Sequence, residues 1–124
     1  MIPIREILKS IKGNKTETIT NENGTAIKFS NGTMICFMYI TVTDQAISNA
    51  YSNVFTGIRD WTYPVPFVEK PSITCGMFKW GTSASWGGVS GVGNTSASLI
   101  GYDFFQREAG TNVHISAIAI GRWK

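Results

Sequence analysis

Over most of its length the chain repeats with a period of two. Thr25 to Ser30 alternates, with Thr25, Ile27 and Phe29 on one side and Ala26, Lys28 and Ser30 on the other, the pattern of a half-buried strand. Asn31-Gly32 follows, a two-residue hairpin signature. Thr33 to Thr43 then reads as a long strand that is apolar on both sides: Met34, Cys36, Met38, Ile40 and Val42 face one way, Ile35, Phe37 and Tyr39 the other. The stretch Val113 to Gly121 repeats this property, with Val113, Ile115, Ala117 and Ala119 on one face and His114, Ser116, Ile118 and Ile120 on the other. A chain this small rarely has two cores, so the second apolar face is expected to meet another protomer or a second sheet. The pattern predicts an all-β oligomer that presents a surface, not an enzyme with a buried cleft.

The remaining elements are shorter. Val54 to Thr62, Ser72 to Trp80 and Ser98 to Arg107 read as strands, and Glu108-Ala-Gly-Thr as a hairpin into the last one. Tyr63-Pro-Val-Pro-Phe is no central strand, because two prolines remove two ladder donors. Asp44 to Asn53 is polar, with Ala46, Ile47, Ala50 and Tyr51 as anchors, and the Gly/Ser-rich Gly81 to Asn94 is a ruffled edge strand or a long loop. About six to eight short strands at this spacing predict a small antiparallel β-sandwich. Ahead of it, Ile4, Ile7, Leu8 and Ile11 recur at helical spacing between Pro3 and Gly13. So short a helix is not stable alone, so its stripe is expected to dock on the domain or on copies of itself. The expected division is residues 1–15, a helix or extension, and 16–124, the sandwich.

Composition narrows the function classes. The net charge of +3 is mild, and four of the eleven basic residues (Arg5, Lys9, Lys12, Lys15) lie near the N-terminus. No basic stripe forms, which argues against nucleic acid. No apolar run approaches a membrane span, and no signal peptide is visible, so the chain is expected to fold in the cytoplasm of the cell that makes it. The Asn14, Asn23, Asn31 and Asn94 sequons then read as turn chemistry. Cys36 and Cys75 are two buried thiols or, if their strands are neighbours, a disulfide. With one histidine in the chain, neither a metal site nor a cofactor is expected.

The candidates for chemistry are few. His114 shares its face with Ser116, but two residues apart on one strand is not a triad. A partner-facing or interface histidine is the better reading, and an interface one would make the oligomer pH-sensitive. No spacing among Asp44, Asp60, Asp103, Glu69 and Glu108 selects a glycosidase pair. Trp61 and Trp80 read as core or edge packing. Trp86, between Ser85 and Gly87-Gly88, has nothing local to bury it. It is either a stacking face for a sugar, with Asp60, Arg59 or Arg107 as hydrogen-bonding partners, or a contact to a neighbouring protomer.

Three segments carry a resemblance. Asn23-Gly-Thr-Ala-Ile-Lys-Phe-Ser-Asn-Gly-Thr-Met-Ile-Cys, Trp61-Thr-Tyr-Pro-Val-Pro-Phe-Val-Glu-Lys-Pro-Ser-Ile-Thr and Ser116-Ala-Ile-Ala-Ile-Gly-Arg-Trp resemble, in order, segments of the C-terminal domains of tailed-phage tail-fibre and receptor-binding proteins. The last two also resemble the H-type lectin domain, a six-stranded antiparallel sandwich that trimerises and binds sugars. That family usually carries an aromatic just before the Ile-Ala pair of its last strand, where this chain has Ala117. The resemblance covers about residues 20 to 124. It implies a homotrimeric, H-type lectin-like module at a phage or prophage tail tip, part of the virion and attached to other tail proteins. Its expected partner is a bacterial surface glycan or receptor. The alternative is a structural tail-fibre or baseplate trimerisation module without a ligand of its own. The expected interface takes in Ile118, Ile120 and His114, with the stripe of Ile4, Ile7, Leu8 and Ile11.

Overall fold

A computed structural model describes residues 15–79 and 85–124. The expected helix, with Ile4, Ile7, Leu8 and Ile11, lies outside the described residues, as does Trp80. Among the described residues, nine strands form two antiparallel sheets and no helix occurs. The strands are β1 (Thr16–Asn21), β2 (Gly24–Phe29), β3 (Thr33–Val42), β4 (Asn49–Tyr51), β5 (Val54–Thr62), β6 (Ser72–Lys79), β7 (Ser85–Val92), β8 (Ser96–Asp103) and β9 (Val113–Arg122). One sheet has the order β1-β2-β3-β9-β6 and the other β4-β5-β8-β7.

The alternation in the sequence becomes the inside and outside of this sandwich. Met34, Cys36, Met38, Val113, Ile115, Ala117 and Ala119 point inward from β3 and β9. They meet Trp61 on β5 and Ala97 and Leu99 on β8, while Ile47, from the segment before β4, plugs the space between. Gly101 on β8 leaves room here for the Met77 side chain, which a Cβ would displace. The proline-containing connection after β5 closes one end of the core. Tyr63 and Phe67 are buried in it edge to face at 5.0 Å, and the Tyr63 hydroxyl donates to the Gly93 carbonyl at 2.9 Å.

The last strand is central. Along its full length β9 pairs with β3, Thr33 against Arg122 through Val42 against Val113, and its other edge pairs with β6. Glu108-Ala-Gly-Thr therefore does not close a hairpin: β8 belongs to the four-stranded sheet, and the connection crosses the sandwich. Local turn residues mark where the chain bends but not which sheet it rejoins. β9 also settles the cysteines. Cys36 lies opposite Ala119 and Cys75 opposite Ala117, on the two sides of β9. Two strand spacings, about 9–10 Å, exceed the reach of a disulfide, and both thiols are free.

Among the described residues, no second sheet covers the outer apolar face of β3 and β9. In register, Ile35 lies beside Ile120 and Phe37 beside Ile118. Ile118 and Ile120 remain 48% and 49% exposed.

Candidate functional site

A groove of about 510 Å³ opens between the β1–β2 turn, β3 and β5, lined by Thr20 to Thr25, Phe37 to Ile40 and Arg59 to Thr62. It exists because β2 covers only part of β3: their register runs from Lys28 opposite Met34 to Thr25 opposite Phe37 and stops. Beyond Phe37 the turn crosses over, and it comes close to β3 only because residue 24 is glycine. Gly24 has φ +126°, and a Cβ there would collide with the Phe37 carbonyl.

The turn is held from three sides. Asn21 accepts the backbone N–H of Asn23 at 2.9 Å, an Asx turn. The same side chain donates to the Pro64 carbonyl at 3.0 Å. From β5, Trp61 is buried and donates its indole N–H to the Asn23 carbonyl at 2.8 Å. Around this frame stand groups that reach solvent. Tyr39 is 68% exposed, and its hydroxyl is hydrogen-bonded to His114 Nδ1 at 3.0 Å. Arg59 is paired with Asp44 at 3.0 Å, and one Asp60 oxygen accepts the Ser98 hydroxyl at 3.0 Å.

A second surface lies on the outer face of the four-stranded sheet. Trp86 sits in edge strand β7, opposite Tyr102, rather than in a loop. Its ring stacks on that of Tyr102 at 5.5 Å and 11°, and Phe104 tilts against it at 5.2 Å. Trp86 keeps 41% of its surface exposed, and Phe104 58%. The platform continues through Ile58 and Ile100, paired across β5 and β8.

The expected constellation of Trp86, Asp60, Arg59 and Arg107 is not brought together. Asp60 shares the platform's face, but in register it lies at Ser98 while Trp86 lies at Tyr102. Four residues along a strand are roughly 13 Å. Arg59, the next residue in β5, points to the opposite face and the groove. Arg107 is committed elsewhere: its Nε bonds Asp103 at 3.0 Å, and its backbone exchanges hydrogen bonds with Ile47. Asp103 is fully buried. Burial works to raise its pKa, but it is outweighed by hydrogen bonds from Ser85, the Phe105 N–H and Arg107, and by the Arg107 charge, so the carboxyl lies below its ordinary value. This ion pair anchors the end of β8.

His114 lies on the outer face of the five-stranded sheet. Its Nδ1 is hydrogen-bonded to Thr41 at 2.9 Å and to Tyr39, and its ring stacks on Phe78 at 5.2 Å. Among the described residues, no group of three or more His, Cys, Asp or Glu is arranged to hold a metal ion. Burial raises both thiols to about 11, so neither is a nucleophile near neutrality. Sequence reasoning missed the Asn21–Gly24 turn as a groove wall, Tyr39 as an exposed aromatic and Tyr102 as the ring stacked on Trp86. The Asn-Glu-Asn-Gly run marks a turn, but its position against β5 depends on the crossing of the sheets.

No family model matches the chain, and no curated protein matches it. Solved structures do. The P. aeruginosa R1 pyocin fibre superposes with a TM-score of 0.60 at 15% identity, covering 98% of this chain and 32% of that one. An N-truncated R1-type pyocin tail fibre gives 0.60 at 15% identity, covering 98% of both chains. Discoidin II of Dictyostelium discoideum gives 0.54 at 17% identity, covering 75% of this chain and 38% of that one. The chain thus spans about a third of the longer fibre structure. At these identities the likeness is one of fold: a sandwich that also occurs in tail fibres and in discoidin.

Proposed function

We propose that the chain is a phage or prophage tail-tip module, a virion component that binds a carbohydrate of the bacterial surface as a homotrimer and joins other tail proteins. The observation that carries this reading is the likeness to a pyocin tail fibre over 98% of both chains. The exposed Phe37, Ile118 and Ile120, with the half-buried Ile35 beside them, support it, since a soluble monomer rarely leaves such a face uncovered. In the trimer this face is the protomer contact. The outer faces of a sandwich point in opposite directions, so closing a ring about the five-stranded sheet leaves the Trp86 platform turned outward. Three weak sites on one trimer act together on a repetitive polymer and gain avidity without new contacts.

The module binds its ligand without transforming it. The acids a hydrolase would recruit have other partners: Asp44 in an ion pair, Asp60 bonded to Ser98, Asp103 sealed in the core. The second reading, a trimerisation module without its own ligand, is favoured by one observation: Tyr102 already occupies one face of the Trp86 ring. Binding of fluorescently labelled protein to bacteria with and without surface polysaccharide separates the two, with light scattering for the mass. Polysaccharide-dependent decoration by a trimer is the expected result. A monodisperse monomer that decorates no cells overturns the proposal.

A further inference from the structure

We infer that the hollow between β1, the end of β2 and Trp123 is an anion site that takes a phosphomonoester dianion. It rests on the surface-recognition reading for the polymer that carries the phosphate, and it lies apart from the Trp86 platform.

A hollow of about 230 Å³ opens where Lys15, Glu17, Lys28, Ser30, Trp123 and Lys124 come together. By strand alternation Lys28 shares the side of the buried Ala26, with Glu17 opposite it in β1. Ile27, between Ala26 and Lys28, takes the other side and continues the row of Ile35 and Ile120. Lys28 and Glu17 therefore face away from the apolar face assigned to the trimer.

Trp123 gathers the charges. Its indole N–H donates to the Phe29 carbonyl at 2.8 Å and its backbone N–H to the Gly32 carbonyl at 2.9 Å, which fixes the ring against the β2–β3 turn. The Lys28 and Lys124 ammoniums lie 5.0 and 4.9 Å from the ring centroid. The ring attracts each cation but offers no oxygen lone pair, so the ammonium N–H groups keep their capacity to donate. Lys15 is held beside them by the Ser30 N–H, which donates to its carbonyl at 3.1 Å.

The charge balance selects the ligand. Among the described residues the ion pairs are Arg59 with Asp44 and Arg107 with Asp103, so none of these three lysines is paired with a carboxylate there. Glu17 is the one acidic side chain in the lining. The Lys124 carbonyl oxygen is taken by Arg122 Nε at 3.2 Å. Three ammoniums against one carboxylate leave two positive charges uncompensated. Gathered like charges repel one another, and an anion placed among them relieves that repulsion. A phosphomonoester carries about −1.5 to −2 near neutrality and three acceptor oxygens, which matches both the surplus and the ammonium donors. A sugar carboxylate brings a single charge and leaves part of the surplus unbalanced. Lysine meets phosphate as a point charge, so the match is one of charge and not of a fixed fork.

The test titrates the isotope-labelled full chain separately with glucose 6-phosphate, inorganic phosphate, glucuronic acid and glucose, and follows the Trp123 and Trp86 indole N–H signals. The expected result is a saturable shift at Trp123 with both phosphates, an unmoved Trp86, no response to glucose, and an affinity for glucuronic acid about fivefold or more weaker. Lys28→Gln combined with Lys124→Gln should weaken phosphate binding about tenfold. Lys15→Gln, which leaves both ring contacts in place, should weaken it about threefold and carries the test if the double variant melts early. Lys79→Gln removes an equal charge outside the hollow and should change nothing. Tighter binding of glucose 6-phosphate than of inorganic phosphate assigns the site to a phosphorylated glycan, and equal affinities assign it to the free ion; the dianion site stands in both. An unmoved Trp123, equal affinity for glucuronic acid, or equal weakening by Lys79→Gln and Lys15→Gln overturns it. A protein that decorates cells without a phosphate response loses this site and keeps surface recognition. A phosphate response by a protein that decorates no cells keeps the site and overturns surface recognition.

Discussion

The Trp61 indole N–H and the Asn23 carbonyl, 2.8 Å apart, tie the four-stranded sheet to the first hairpin of the five-stranded one. Trp61 is buried, so the bond is sheltered from competing water. Trp61→Phe keeps most of the ring but leaves the carbonyl without this donor. We expect a loss of about 1 kcal/mol in urea denaturation, with faster hydrogen exchange at Asn23 and Gly24. A loss of stability without faster exchange would mean that the bond does not hold the turn.

Asp103 gives a pH-dependent contribution of known sign. Its folded pKa is lowered, so its stabilisation is complete above the ordinary carboxyl range, about 3.9, and is lost as pH falls through the folded value. Asp103→Ala, which leaves Arg107 facing an empty acceptor site, should cost about 3 kcal/mol near neutrality. The gap between wild type and variant should shrink in acid. A gap that stays constant with pH would show that the carboxylate charge contributes nothing.

Ile118→Lys should dissociate the proposed trimer and leave the sandwich folded, because the side chain is exposed in the single protomer. Ala117→Lys, one residue away and buried, should unfold it. Light scattering and circular dichroism on the pair check the assignment of the two faces. An Ile118→Lys protein of unchanged mass would place the protomer contact elsewhere.

Both thiols should resist labelling. Raised from 9.0 to about 11, each has about 100-fold less thiolate near neutral pH than a free cysteine. Ellman's reagent should therefore react at least that much more slowly with native protein than with protein in urea. Equal rates would mean that neither thiol is sheltered.

Trp86→Ala tests the outward platform as the recognition surface. Cell decoration should be lost while the proposed trimer stays intact, with a small loss of stability from the broken stack on Tyr102. Unchanged decoration at the same protein concentration would place recognition elsewhere.

The strands of the sandwich were legible wherever side chains alternate. Val54 to Thr62 is β5 as read, and the Asn31-Gly32 turn joins β2 to β3 as its residues require. The alternation of Val113 to Ile120 separates the buried Val113, Ile115, Ala117 and Ala119 from the exposed Ile118 and Ile120, and of the two covers expected for the second face, a second sheet is not found among the described residues. Long-range pairing was not legible. Nothing local in Glu108 to Thr111 says that the chain leaves one sheet for the other, and nothing near Trp86 says that Tyr102 will lie beneath it. Arg59 and Asp60 were grouped with Trp86, but neighbours on a strand face opposite ways: Arg59 turns to the groove, while Asp60 shares the face of Trp86 at roughly 13 Å along it. The groove depends on where β2 stops along β3, a matter of register that no short window of residues contains.

The central place of β9 has a consequence for synthesis. On a ribosome, β3 and β6 leave the exit tunnel long before the strand that will lie between them. Until Val113 to Arg122 emerge, the edges that β9 will occupy on β3 and β6 stay open, and the inward methionines of β3 have no β9 residues to pack beside. Truncated products that lack β9 therefore display open edges prone to stray pairing. A copy interrupted before β9 thus differs from one that includes it by two unpaired strand edges on either side of the missing strand.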